Sequence, residues 1–121
     1  MVIIGFVRDG MGIAKGYIET VIYESDGYEG FEYTPYPGTL NLEYINICCR
    51  QYIINKRNEI KQLPCKVDKF GKRYYEFKYK GHTLYLNVYK QHVELVAEFN
   101  LREKFGWKTG DLIRLVGDEN E

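Results

Sequence analysis

The sequence predicts a mainly β protein, a single small closed β-barrel with one short helix near its C-terminus. Three observations carry that expectation. Twelve tyrosines and six phenylalanines in 121 residues suit pleated, half-buried surfaces better than helices. Short apolar or alternating runs recur along the chain between Gly, Pro, Asn and Asp turns, the pattern of many short strands. The length sustains one core and not two, so residues 1–121 form one domain in which the strands close on one another.

Residues 2–8 are an apolar run suited to a buried strand. Gly10-Met11-Gly12 interrupts it, and residues 17–23, rich in β-branched and aromatic side chains, resume as a second strand. Residues 24–38 hold Gly27, Gly30, Gly38, Pro35 and Pro37. That is too many breakers for a regular element, and a long loop is expected there. Thr39-Leu40-Asn41-Leu42 alternates with period two, a strand with one buried face. Residues 44–63 stay open between a strand starting at Tyr52-Ile53-Ile54 and solvated surface at Lys56-Arg57-Asn58-Glu59.

Cys65-Lys66-Val67 is a short strand leading to a turn at Phe70-Gly71-Lys72. Residues 73–79 alternate, Lys80-Gly81 makes a hairpin turn, and residues 82–89 return. Residues 92–99 are a further strand. Asn100 caps a helix over residues 101–105, with Glu103 at the capping-box position and Gly106 as its stop. Lys108-Thr109-Gly110-Asp111 turns the chain into a last strand, residues 112–116. The acidic end, residues 117–121, is expected to fray.

Composition removes several function classes. Seventeen Lys plus Arg balance seventeen Asp plus Glu, which argues against a nucleic-acid partner but leaves room for a local basic pocket. No apolar run approaches the ~20 residues of a membrane span, and Met1-Val2-Ile3-Ile4-Gly5-Phe6 lacks the features of a signal peptide. Three cysteines, two of them the neighbours Cys48 and Cys49, argue against a disulfide scaffold and for the reducing cytoplasm. Zinc is not expected, because no Cys-x-x-Cys exists and His82 and His92 stand apart. Ser25, the only serine, lies in the turn-like Glu24-Ser25-Asp26-Gly27 with no nucleophile elbow around it. A monomer is expected.

Two segments carry chemistry. In Gly10-Met11-Gly12-Ile13-Ala14-Lys15-Gly16 the glycines let consecutive N–H groups curl toward an anion, and Lys15 adds a positive charge. A Rossmann or Walker loop would open a helix, whereas residues 17–23 read as strand, so a solvated hairpin loop is the competing reading. In Pro35-Tyr36-Pro37-Gly38-Thr39-Leu40-Asn41-Leu42 the stiff turn delivers a strand. Thr39 and Asn41, two apart, leave the same face and offer neutral oxygens that suit Mg²⁺. The competing reading has both simply bonding neighbouring backbone.

The combination is more specific than its parts. A glycine-rich loop after the first strand, Pro-Tyr-x-Gly-Thr-Leu-Asn-Leu, Glu94-Leu95-Val96-Ala97, Leu101-Arg102-Glu103-Lys104-Phe105 and Thr109-Gly110-Asp111 occur in that order. Together they resemble the archaeal CTP-dependent riboflavin kinase family, whose fold is a small cradle-loop β-barrel. The resemblance implies transfer of phosphate from CTP to riboflavin, giving FMN and CDP, with Mg²⁺ as cofactor. It places nucleotide contacts on Gly10, Met11, Gly12, Ile13, Ala14 and Lys15 and again on Phe99, Asn100, Leu101 and Arg102. Metal ligands fall on Thr39 and Asn41, and a flavin contact on Glu94; whether Glu94 also takes the attacking hydroxyl's proton stays open. Tyr33 or Tyr36 is a candidate to stack on the flavin ring. The family's threonine-bearing loop corresponds to the shorter Asn87-Val88-Tyr89-Lys90-Gln91-His92, which has no threonine. That difference keeps open a non-catalytic nucleotide- or flavin-binding barrel. A barrel that stacks nucleic-acid bases on its aromatics is the third reading.

Overall fold

A computed structural model of the protein describes residues 1–9, 13–24, 27–44 and 50–118. Seven strands are present: β1 (Val2–Arg8), β2 (Leu40–Tyr44), β3 (Cys65–Val67), β4 (Arg73–Tyr79), β5 (His82–Val88), β6 (His92–Val96) and β7 (Leu112–Val116). They form one antiparallel sheet in the order β3-β4-β5-β6-β2-β1-β7. Three helices accompany it: α1 (Ile13–Tyr23), α2 (Arg50–Ile60) and α3 (Leu101–Phe105). None is long and apolar enough to cross a membrane.

Alternation along the strands builds the core. Leu40 and Leu42, Leu84 and Leu86, and Val93 and Leu95 project to one face and are all buried. Ile3, Val7, Phe77, Ile113 and Leu115 join them from both ends of the sheet. A core shared by the outermost and central strands requires the sheet to curl around it. The closed barrel expected from the sequence is not completed by the ladder: among the described residues β3 and β7 are the two ends and do not pair. The link between the ends comes instead from the segment after β7, where the Asp118 N–H donates to Lys78 O of β4 at 2.8 Å.

The same aspartate corrects the expected fraying at residues 117–118. Its carboxylate accepts from the N–H groups of Lys80 (3.0 Å) and Gly81 (2.9 Å). Both turn residues have positive φ, 48° and 78°, as a tight two-residue hairpin requires. Gly117 N–H also donates to Met1 O at 2.9 Å. Residues 119–121 lie outside the described residues.

The clearest departure is at residues 17–23, expected as a strand and found within α1. Ile18 and Val21 are buried and Ala14 and Tyr17 half-buried, which is helical i, i+3, i+4, i+7 spacing. The β-branched and aromatic residues favoured a strand locally, but a face that packs on the sheet decided otherwise. The undecided stretch 44–63 contains the second missed helix, α2, whose Ile60 is fully buried in the core. The Lys56 ammonium, also on α2, donates to Val2 O at 2.7 Å. The short helix is as expected. Asn100 Oδ1 accepts from Glu103 N–H at 3.2 Å, and Gly106 ends α3 in the left-handed region at φ 71°.

The outer face of the sheet is covered as well. Ile18 of α1 meets Tyr74, Tyr85 and Val96, and Tyr28, Phe31 and Tyr33 of the 24–38 loop pack on them. Phe31 sits edge-on to Tyr74 and to Tyr85, with ring centroids 5.0 Å apart in each pair, the arrangement that aromatic quadrupoles favour.

Candidate functional site

Three stretches far apart in the chain converge on one cavity of about 240 Å³. Lys15 comes from the first turn of α1, Thr39 from the residue leading into β2, and Asn100, Leu101 and Arg102 from the start of α3. Tyr36 forms part of the wall. Its ring lies against Gly38, where a Cβ would stand 2.7 Å from a ring carbon, so glycine is needed for that approach. The Asn100 amide reaches the Tyr36 hydroxyl at 3.4 Å while its oxygen caps α3. The rim is braced by Arg102, which donates to Asp9 Oδ1 (3.2 Å), Thr109 Oγ1 (3.1 Å) and Arg8 O (3.4 Å). Thr109 Oγ1 donates in turn to Asp9 Oδ1 at 2.6 Å. The end of β1, the start of α3 and the turn before β7 are thereby tied together.

Next to this cavity a polar row crosses the outer face. The register pairs Arg8 with Asn41, Asn41 with Glu94, and Glu94 with Asn87, across β1, β2, β6 and β5. Glu94 is 5% and Asn87 2% exposed. Asn41 Oδ1, Glu94 Oε1 and Asn87 Oδ1 are shielded from solvent and have no hydrogen-bond partner among the described residues. Unsatisfied buried oxygens are rare in folded proteins, and these three fall in one row. The nearest positive charge is Lys72, with Nζ 3.7 Å from Glu94 Oε1, beyond hydrogen-bond reach. Its ammonium lies over the rings of Tyr17 (4.6 Å) and Tyr89 (5.6 Å), a cation–π arrangement.

Lys72 is positioned by a buried carboxylate. Asp68 Oδ1 accepts from the N–H groups of Phe70 (2.9 Å) and Lys72 (3.1 Å). Asp68 Oδ2 accepts from the hydroxyls of Tyr17 and Tyr74, both at 2.8 Å. Burial first, and then the bond to Asp68, pushes the Tyr17 hydroxyl above the usual phenol range. Desolvation likewise dominates at Tyr74 and raises it further. Tyr28, bonded to Tyr74 at 3.0 Å, is pushed up to about 12 by desolvation. These phenols stay protonated and act as donors throughout the neutral range.

The structure sorts the residues singled out from the sequence. It brings Lys15, Thr39, Asn100, Leu101 and Arg102 to one cavity, and Asn41 and Glu94 side by side. Ala14 is half-buried in the first turn of α1, and Ile13 is the first residue of that helix. Gly10, Met11 and Gly12 lie outside the described residues, as do Ser25, Cys48 and Cys49. The glycine-rich loop is followed by a helix, so the objection to reading it as a phosphate loop falls. Phe99 packs against the main core rather than lining the cavity. Tyr33 is a core residue as well: its ring packs on Tyr85 and its hydroxyl donates to Thr83 O at 2.6 Å. Tyr36 is the aromatic left at the cavity.

Sequence reasoning passed over Asn87 and Lys72. A signal for Asn87 was present, because asparagine is depleted in strands and here interrupts a run of β formers. Lys72 gave none, being a lysine in a turn.

Thr39 and Asn41 fit a hard cation: both are oxygen donors on one face, and the Asn41 oxygen is buried and unpartnered. No group of three or more His, Cys, Asp or Glu among the described residues could hold a metal by itself, so a cation here would draw its remaining ligands from phosphate and water. A family model, CTP-dep_RFKase, described as "Domain of unknown function DUF120", matches residues 7–116, from the end of β1 through β7. That span takes in the cavity, the polar row and the covering helix alike, and the chain belongs to the CTP-dependent riboflavin kinase family.

Proposed function

We propose that the protein transfers the terminal phosphate of CTP to the 5′-hydroxyl of riboflavin, giving FMN and CDP. One observation supports this above the others. The cavity bounded by Lys15, Thr39 and Asn100–Arg102 opens beside Asn41 and Glu94 on the same strand pair, so a nucleotide site and an acceptor site would share an edge.

In this reading Lys15 and the glycine-rich loop hold the phosphates, the lysine as a point charge. The backbone around Asn100 and Leu101 reads the base, with Tyr36 as a stacking wall. Thr39 and Asn41 would hold Mg²⁺, which neutralises phosphate charge. Glu94 hydrogen-bonds the acceptor and takes the proton of the attacking hydroxyl. A bond forms from the ribityl oxygen to phosphorus, and the bond from that phosphorus to the bridging oxygen of CDP breaks. Positioning supplies most of the acceleration in such transfers. The curled sheet would serve as the family's barrel, closed through Asp118. Every residue invoked comes from one chain, so a cytoplasmic monomer suffices.

The test is incubation of the protein with riboflavin, Mg²⁺ and each nucleoside triphosphate in turn, with FMN followed by chromatography. FMN should form fastest with CTP. Equal use of all four triphosphates would remove the base assignment. No FMN with any of them, although riboflavin and CTP both bind, would favour a non-catalytic binding module.

A further inference from the structure

Asn87 has been given no role so far, yet it is the most deeply buried member of the polar row. Its amide nitrogen donates to Arg73 O at 2.9 Å, which fixes the side chain and leaves the oxygen as an acceptor only. That oxygen is unpartnered, as are those of Asn41 and Glu94 beside it. All three orphans are acceptors. A row of acceptors on successive strands is matched by a ligand with several hydroxyl donors in line. Glu94 and Asn87, the two members of the row not assigned to the cation, sit on adjacent strands about 5 Å apart, a span suited to nearby hydroxyls of a short polyol. Beyond Asn87 lies a second cavity of about 330 Å³, bordered by Lys72, Arg73, Asn87 and Tyr89, with room for a ring attached to that polyol.

We propose that Asn87 is a specificity-determining residue that accepts a hydrogen bond from a secondary hydroxyl of the acceptor's polyol chain. It thereby selects a hydroxylated chain over an alkyl one, with the ring directed toward the second cavity. The inference rests on the riboflavin kinase reading and names the part of the substrate that Asn87 recognises. Lys72 must move aside for the chain to reach the row. Its ammonium makes no hydrogen bond among the described residues and is held by ring faces and the 3.7 Å approach to Glu94, so moving it breaks no hydrogen bond, and the hydroxyls that replace it at Glu94 supply donors in its place.

The experiment compares riboflavin with a flavin whose chain keeps the terminal hydroxyl but has methylenes in place of its other hydroxyl-bearing carbons. Binding is read by quenching of flavin fluorescence, independently of turnover. The natural chain should bind riboflavin roughly tenfold or more tightly than the analogue. Asn87→Leu should lose about that factor for riboflavin and leave the affinity for the analogue unchanged. If the unsubstituted protein binds and phosphorylates riboflavin yet binds both flavins equally, the inference fails and the kinase reading stands. Equal weakening of both flavins by Asn87→Leu also overturns it, since that is what a purely structural asparagine would give. Should the variant not fold, the comparison on the unsubstituted protein still decides. If the unsubstituted protein binds no riboflavin at all, the kinase reading fails and takes this inference with it.

Discussion

Strands β2, β6 and β5 carry chemically opposite rows on their two faces. Inward, Leu40, Leu42, Val93, Leu95, Leu84 and Leu86 are carbon only, and each is at most 1% exposed. Outward and one residue along, Asn41, Glu94 and Asn87 hold oxygens that are shielded and unsatisfied. An inward leucine contributes roughly 1.5–3 kcal/mol by leaving water, while each outward orphan costs about 1–3 kcal/mol. The inner face therefore carries the fold and offsets the cost of the outer row. Because strand side chains alternate, adjacent substitutions address stability and recognition separately.

The sharpest way to break that division is Asn41→Ala. Turnover should fall roughly a hundredfold or more, since phosphate positioning is lost, while urea unfolding should show no loss of stability, because the change removes an orphaned buried oxygen and no apolar core. Full magnesium-dependent activity in this variant would sink the metal assignment. Its neighbour should behave in the opposite way. Leu40→Ala should lose about 2–5 kcal/mol by opening a cavity, with turnover of the folded fraction close to normal; a large fall in turnover there would mean the faces are not independent.

Asp68→Asn comes next. Its carboxylate accepts four hydrogen bonds, and an amide that must also donate cannot satisfy them all. A loss of about 1–3 kcal/mol is expected in denaturant titration.

The smallest effect is alkaline. Desolvation holds Tyr28 and Tyr44 at about 12 in the folded chain, against 10.0 ordinarily. A raised phenol favours the folded state below its unfolded value and ceases to as it ionises. Stability should therefore be level below pH 10 and decline between pH 10 and 12. A urea midpoint unchanged through that window would show that the Tyr28 and Tyr44 hydroxyls are not desolvated as described.

Strands with strict alternation were legible because alternation is local: residues 39–42, 73–79 and 82–89 each carry their own period. The α3 cap was legible for the same reason, since Asn100, Glu103 and Gly106 act within one turn. Helix α1 was not, because Tyr17, Ile18, Val21 and Ile22 have strand propensity, and the helix is fixed by Ile18 packing on Tyr74, Tyr85 and Val96, residues more than fifty positions away. At the candidate site, Thr39, Asn41 and Glu94 could be named from motif order. Their adjacency, and the inclusion of Asn87, depend on the β2-β6-β5 register, which no short window contains.

Pairing of β1 with β7 has a consequence for how the chain reaches this state. Val2–Phe6 bond Leu112–Val116, so the earlier segment waits during synthesis for one more than 100 residues later. The β4-β5 hairpin can form locally within microseconds, whereas joining segments so far apart is a high-contact-order event on a much slower scale. Until residue 116 is available, β1 keeps one edge unpaired, an apolar template open to a strand from another chain. Truncation before Leu112 would make that exposure permanent, and such a fragment should aggregate rather than fold.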